Sequence, residues 1–285
     1  MTPAGRLTYR RAVNRVMLTL TGVCAAGIVS ILLFILGYLL VNGARSLNWS
    51  FFTELPKPVG ELGGGMANAI IGSGKVLAIA TAIGVPVGFL GGVYLSEYGS
   101  TTFAFLVRYT TDLLNGVPSI VVGIFAFSLF VLRAKHFSTL AGGVALGVMM
   151  IPIAVRSTEE FLRAVPTGLR EAALALGTPK WRMLATVVIP AARDGIITGI
   201  MLNLARVAGE TAPLLFTAFG NTSWSPGLNH PTATLPVMIY TYALSPYDDL
   251  HRQAWAAGFV LLMLVLTVNV SARFIVARSG PAGGR

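Results

Sequence analysis

Long apolar runs constrain this chain more than any other feature. Residues 16–41 contain no charged side chain, and about 20 apolar residues suffice for a helix to cross the hydrocarbon core of a bilayer. A signal-peptide core is shorter, roughly 7–15 residues. We therefore expect this run to be a retained transmembrane helix and not a leader that is removed.

Six stretches are apolar enough to span a membrane. The predicted spans are Val16–Val41, about Met66–Leu95, about Gly116–Leu132, about Leu140–Val155, about Ala191–Phe219 and about Ala254–Val276. Charged residues make up only 11% of the chain, whereas a soluble domain carries roughly 25%. The composition excludes an ordinary soluble enzyme, a disordered protein and a free nucleic-acid binder, and it predicts an all-α polytopic membrane protein.

The distribution of basic residues predicts the orientation. The chain has 21 Lys and Arg against 11 Asp and Glu, a net charge of +10. With six spans and a cytoplasmic amino terminus, 14 basic residues fall inside and five outside, as the positive-inside rule requires. We assign the excess charge to membrane orientation and not to nucleic acid. The predicted parts are a basic cytoplasmic segment 1–15, a transmembrane domain 16–278 and a cytoplasmic tail 279–285.

Small residues recur four apart within the predicted spans. They are Gly84, Gly88 and Gly92 in the second, Gly143 and Gly147 in the fourth, and Gly195 and Gly199 in the fifth. Such faces let helix backbones approach closely in lipid. We interpret them as packing faces in preference to a gating surface.

One glycine-rich stretch imitates a nucleotide-binding loop. Gly72-Ser73-Gly74-Lys75 would need a glycine at position 69 and Ser or Thr after the lysine, but these positions hold Ala69 and Val76. We therefore predict no ATP site, no bound cofactor and no catalytic activity on this chain. Lys75 itself is expected to snorkel to the interface. The three histidines lack metal-ligand spacing, so we predict no metal site.

The segment 157–190 is polar enough to leave the membrane and is predicted to form a cytoplasmic helical hairpin. Thr167 is expected to cap a helix over Gly168–Leu176, which Gly177 ends. A second helix starts after Thr178-Pro179. Trp181 and Leu184 would form an apolar ridge on it.

The same segment resembles the "EAA" loop of ABC importer permeases. The matching residues are Glu171, Ala172, Ala173, Gly177 and, nine residues later, Val187-x-Ile189-Pro190. The family pattern ends in Ile-x-Leu-Pro, so the match is close but not complete. The resemblance implies a coupling helix that docks into a separate ATPase subunit, where ATP and Mg²⁺ would bind.

Two ionisable residues interrupt the fifth apolar run. Arg206 and Glu210 are four apart, so a continuous helix would place them on one face. Each costs about 2.5–3.5 kcal/mol at the bilayer centre, so each must face a polar interior or a partner. Two readings stay open at this point: a self-neutralising structural pair, or a charged element of an anion pathway. Arginine suits the second because its planar guanidinium matches oxyanions, and Thr211 adds a hydroxyl.

The stretch from Arg206 to Leu214, Arg-x-Ala-Gly-Glu-Thr-Ala-Pro-Leu, resembles the phosphate-specific ABC importer permeases. Asn115-Gly-Val-Pro-Ser119 and Tyr94-Leu-Ser-Glu-Tyr98 are similar to the same subfamily, and the whole is most like its "A" subunit. The resemblance implies a type I ABC importer permease fold and makes Arg206 and Glu210 the transport-critical pair. Ser119 would offer a hydroxyl or backbone N–H groups to an anion, with simple helix capping as the alternative.

The family resemblance also implies partners and a location. The partners are a homologous second permease, an ATPase dimer, an extracytoplasmic phosphate-binding protein, inorganic phosphate and the lipid bilayer, with no nucleic acid. The implied location is the bacterial cytoplasmic (inner) membrane, with both termini in the cytoplasm. Two alternatives remain: the same scaffold for molybdate, sulfate or phosphonate, and an ATP-independent channel or structural scaffold.

Overall fold

The computed structural model describes residues 3–61 and 63–279, with side chains described over 9–61 and 63–274. This part of the chain is helical and contains no strand. The main helices are α1 (Pro3–Ser46), α2 (Ala67–Tyr98), α3 (Thr102–Gly116), α4 (Ser119–Ala134), α5 (Thr139–Arg163), α6 (Thr167–Ala175), α7 (Lys180–Ala208), α8 (Ala212–Thr217), α9 (Leu235–Ala243) and α10 (Asp248–Ser279).

Within the described residues, five helices are long and apolar enough to cross a membrane: α1, α2, α5, α7 and α10. A sixth span results if α3 and α4, which meet at an angle of 101°, are counted as one bent span. The all-α, six-span prediction is confirmed in this form. The predicted tail 279–285 lies almost entirely outside the described residues, whereas most of the predicted amino-terminal segment 1–15 is described and is helical, continuous with the first span.

The third span does not begin where the sequence analysis placed it. Gly116 is the last residue of α3, and Val117 adopts an extended conformation with φ −71° and ψ 127°. Pro118 explains the break, since a proline ring disfavours helical geometry at the residue before it and supplies no N–H to a helix. The apolar helix therefore starts at Ser119 and runs to Ala134.

The fifth span begins earlier than predicted, at Lys180, and also ends earlier. Its helix ends at Ala208, and Gly209 makes the terminal turn by donating its N–H to the Arg206 carbonyl. Pro213 prevents a continuous helix because its ring would clash with the carbonyl four residues earlier. The expected helix to Phe219 is thus wrong: a non-helical link separates α7 from the short α8.

The core of the described bundle is the pair α2 and α5. A Cβ atom added to Gly84 would lie 2.5 Å from the Met150 Cβ, and one added to Gly92 would lie 2.5 Å from the Thr158 Cβ. The two backbones approach this closely only because glycine has no side chain. α7 packs on α5 at Gly195, where the missing side chain leaves room for the ring of Phe161. The prediction that the glycine faces are packing surfaces is confirmed.

The first span lies at the periphery of the bundle. α1 packs on α10, where Tyr38 and Trp255 meet edge to face with ring centroids 5.2 Å apart. Most of the remaining surface of α1 is exposed and apolar. In a soluble protein such a surface would be a liability, whereas lipid tails solvate it.

The predicted hairpin is present but smaller than expected. Residues 157–163 belong to α5, and the second arm is continuous with the fifth span through a π-helical turn, Leu184–Val188. Gly177 forms the corner in the left-handed region, with φ +78°, which glycine adopts without steric cost. We call α6, the corner and the first turn of α7 (Lys180–Met183) the coupling hairpin.

Two details of the hairpin differ from prediction. Thr167 does not cap α6; it is the first residue of the helix, and Pro166 precedes it without a side-chain cap. Leu184 does not join Trp181 in an exposed ridge. It is half-buried and packs against the buried cluster around Met183 and Val188.

Candidate functional site

The predicted charged pair lines a small cavity at the two breaks in the spans. Arg206 and Glu210 face the α3–α4 bend, where Asn115 and Val117 line the opposite wall. The cavity measures about 30 Å³, which is room for one or two water molecules. α5 closes it with apolar side chains, including Pro152. The structure therefore brings two separate chain breaks and two opposite charges to one place.

Arg206 and Glu210 do not form an ion pair with each other. Arg206 is exposed and Glu210 half-buried, and over the residues that the structure describes neither has an oppositely charged partner within 4.0 Å. The prediction of a shared helical face is wrong because α7 ends between them. Among the described residues, the direct Arg206–Glu210 contact that a self-neutralising pair requires is absent, although both side chains line the same cavity.

The two hydroxyl residues proposed for the same pathway are not on the cavity wall. Ser119 is the half-buried first residue of α4, and Thr211 precedes α8, where its carbonyl accepts the N–H groups of Leu214 and Leu215. Both lie beside breaks that shape the cavity. Asn115 does line it, although its motif alone gave no role to this side chain.

The coupling-motif residues lie where the hairpin is most exposed. Glu171 and Ala172 are exposed on α6, and Ala173 packs half-buried on the apolar cluster beneath. Next to the Gly177 corner, Leu176 is 86% exposed and Trp181 72% exposed. Large apolar side chains exposed at the tip of a polar loop are typical of a docking surface.

Sequence reasoning missed a buried acid near the carboxyl end of α5. Glu159 of α5 has a side chain that is 4% exposed, and three arginines surround it: Arg108 at 2.6 Å, Arg163 at 3.2 Å and Arg156 at 3.8 Å. Arg108 belongs to α3, so this cluster joins α3 to α5. The available signal was an acidic residue between two arginines, Arg156 and Arg163, three and four residues away, because a carboxylate at that spacing on a helix can pair with them.

The amino-terminal end of α2 holds the long segment between α8 and α9. The Asn68 amide donates to the Asn221 carbonyl at 2.6 Å, and Lys75 Nζ donates to the Ser225 carbonyl at 3.3 Å. Lys75 thus ties down a loop, a contact that the snorkelling prediction did not include. Farther along, burial first and then the charge of Asp249 raise the pKa of Tyr242.

No group of three His, Cys, Asp or Glu side chains in the described ranges is arranged to hold a metal ion. The stretch Gly72–Lys75, which imitates a nucleotide loop, lies inside α2. Its backbone N–H groups therefore belong to the interior of a helix and do not form a phosphate cradle.

Comparison with known proteins agrees with this architecture. A protein-family model described as a binding-protein-dependent transport system inner membrane component matches residues 84–282. The chain is 44% identical to a phosphate transport system permease protein PstA of Yersinia pestis, over 95% of this chain and 92% of the relative. It is 42% identical to the PstA protein of Pasteurella multocida, over 93% and 94%.

The fold recurs in solved transporters. A chain of a bacterial alginate ABC transporter, crystallised with an alginate-bound periplasmic protein, superposes with a TM-score of 0.67 at 14% identity, covering 93% of this chain and 96% of that chain. At this identity the likeness concerns the fold alone, which is that of a type I ABC importer permease. By its matched family model and its PstA relatives, this chain belongs to the binding-protein-dependent transport system inner membrane components.

Proposed function

We propose that this chain is a membrane-spanning subunit of an ATP-driven importer that moves inorganic phosphate into the cell by alternating access. Its relatives at 42–44% identity are permease proteins of phosphate transport systems. The family implies an external binding protein as donor. A homologous second permease would complete the pathway, and the membrane would be the bacterial cytoplasmic membrane with both termini inside.

The observation that carries this proposal is the pair of charges at the cavity. Arg206 presents a guanidinium that has no carboxylate partner among the described residues, and Glu210 lies on the same cavity wall. A guanidinium matches phosphate oxygens with a planar set of donors. Glu210 accepts a hydrogen bond from a protonated phosphate oxygen or limits the strength of binding. Transient binding is what transport needs, since a tight site would retain its substrate.

The hairpin supports an ATPase partner. α6 exposes Glu171 and Ala172 beside the Gly177 corner, and its tip carries the exposed Leu176 and Trp181. These side chains suit a groove on a soluble subunit, where burying the apolar ones is favourable. ATP and Mg²⁺ would be bound by that subunit, so this chain contributes no hydrolytic residue.

Phosphate uptake by the assembled transporter tests the proposal. We would co-express the chain with its neighbouring subunits, reconstitute the complex with its binding protein and ATP, and measure uptake of radiolabelled phosphate. Uptake that requires ATP, and that excess sulfate or molybdate does not reduce, supports the proposal. Uptake of either competing anion in place of phosphate would assign the scaffold to another oxyanion. Phosphate flux without ATP would indicate a channel.

A further inference from the structure

The cytoplasmic end of α2 carries a buried acid that the proposed transport pathway does not use. The side chain of Glu97 is only 5% exposed, one residue before the end of the helix. A carboxylate this deeply buried is unfavourable unless cations and hydrogen bonds compensate it. The partners of Glu97 therefore indicate which parts of the molecule it holds together.

Both arms of the coupling hairpin bind this one carboxylate. Arg170 of α6 forms an ion pair and hydrogen bond with Oε1, and Lys180 Nζ at the start of α7 lies 3.7 Å from Oε2. Lys180 also donates to the Glu97 carbonyl at 3.3 Å and lies 4.4 Å from the ring centroid of Tyr98. Cations are favourable at a helix C-terminus, so the end of α2 attracts both arms.

The other attachments of the hairpin are apolar packing and one hydrogen bond to α5. Ala173, Met183 and Leu184 pack on an apolar cluster, and Arg170 also donates to the Leu162 carbonyl at 2.7 Å. Apolar contacts are non-directional and allow small slides, whereas an ion pair with several hydrogen bonds fixes a geometry. Glu97 therefore provides the directional attachment between the hairpin and α2.

We infer that Glu97 is a positioning residue for energy coupling, which makes the coupling hairpin and α2 move as one body. A displacement of the hairpin is passed to α2, and from α2 to α5 across the glycine faces at Gly84, Gly88 and Gly92. Neither α2 nor α5 carries Arg206 or Glu210, but α5 forms one wall of the cavity that these two residues line. The inference rests on the proposed function, because it assigns a route for the motion that the ATPase supplies.

A second buried acid, Glu159, differs from Glu97 in the helices that it attaches. Glu159 pairs with arginines of α3 and α5, and none of these contacts involves the coupling hairpin. It stabilises the bundle without linking it to the motor. Glu160, its exposed neighbour on the same cytoplasmic helix end, has no ion pair with any described residue. Glu160 offers a matched control for removal of a negative charge.

The test compares Glu97→Gln with Glu160→Gln in the reconstituted complex, by the ratio of phosphate imported to ATP hydrolysed. Glu97→Gln should keep the ATPase active and lower the ratio by about five-fold or more, the usual lower range of coupling between sites. Glu160→Gln should leave the ratio unchanged. A wild-type ratio in Glu97→Gln would overturn the inference.

Arg170→Gln provides a second variant at a less buried position, since its side chain is 18% exposed. It should lower the ratio in the same direction. The double variant should lose less than the sum of the two single losses, because both variants remove the Glu97–Arg170 contact. Each variant also removes one contact of its own, Glu97 to Lys180 and Arg170 to the Leu162 carbonyl. Additive losses would point to two unrelated defects and would contradict the inference.

A third readout separates the inference from the proposed function. If the wild-type complex imports no phosphate, the proposed function fails, and amide hydrogen exchange then decides the inference. Binding of ATP should change exchange in Thr167–Ala175 and in the last two turns of α2 together in the wild type. In Glu97→Gln only the hairpin should respond. A joint response that persists in Glu97→Gln would refute the link.

Discussion

Replacing Gly84 with alanine tests whether the α2–α5 contact is as close as the structure has it. The added Cβ would lie 2.5 Å from the Met150 Cβ and 3.0 Å from the Gly147 carbonyl oxygen. Carbon atoms pack at about 3.5–4.0 Å, so the helices must separate by roughly 1 Å or tilt. Overpacking of this kind costs about 1–3 kcal/mol. At about 2–4 °C per kcal/mol for chains of 150–250 residues, the melting temperature should fall by several degrees.

The assay is thermal unfolding of the purified complex in detergent, with Gly74→Ala as the control. Gly74 lies on the same helix, and a Cβ added there meets nothing within 4 Å. Alanine is favoured over glycine in a helix by about 1 kcal/mol, so this control should keep or raise the melting temperature. If Gly84→Ala melts at the same temperature as Gly74→Ala, the close α2–α5 approach is wrong.

Two further predictions concern the two sides of the membrane. Gly177→Ala places a side chain at φ +78°, which costs an L-residue about 1–2 kcal/mol. It should distort the hairpin corner and lower ATP-driven uptake several-fold. The control is Gly168→Ala, where an added Cβ also meets nothing within 4 Å and uptake should stay unchanged. Equal uptake by the two variants would contradict the role of the corner. Lys75→Met removes the hydrogen bond to the Ser225 carbonyl, worth about 1 kcal/mol. It should speed amide hydrogen exchange in the segment between α8 and α9 while phosphate uptake persists. Loss of uptake would place Lys75 on the phosphate pathway.

The apolar pattern predicted most of the bundle because a helix that crosses a lipid bilayer must be apolar and about 20 residues long. The second, fourth and sixth runs correspond to α2, α5 and α10 with shifts of a few residues at most ends. The pattern gave wrong helix ends where a proline prevents a helix from continuing through apolar sequence. Pro118 and Pro213 stand inside apolar sequence, and each marks a break that hydropathy alone does not register.

The candidate site was predicted in part. Arg206 and Glu210 were identified because charge within an apolar run is costly and needs a reason. Their geometry was not predicted, since the shared face assumed a helix that ends at Ala208. No role was predicted for Glu97 or Glu159, because the burial of each depends on how the helices pack. The fold brings Arg170 and Lys180 to Glu97, and Arg108 to Glu159.

The most direct test of the central claim is phosphate uptake by the assembled complex carrying Arg206→Ala. Arg133→Ala, which removes the same charge from an exposed site, is the matched control. The account predicts that Arg206→Ala abolishes uptake while the subunits still co-purify, and that Arg133→Ala transports as the wild type does. Uptake retained by an assembled Arg206→Ala complex would show that this guanidinium is not on the path of the anion.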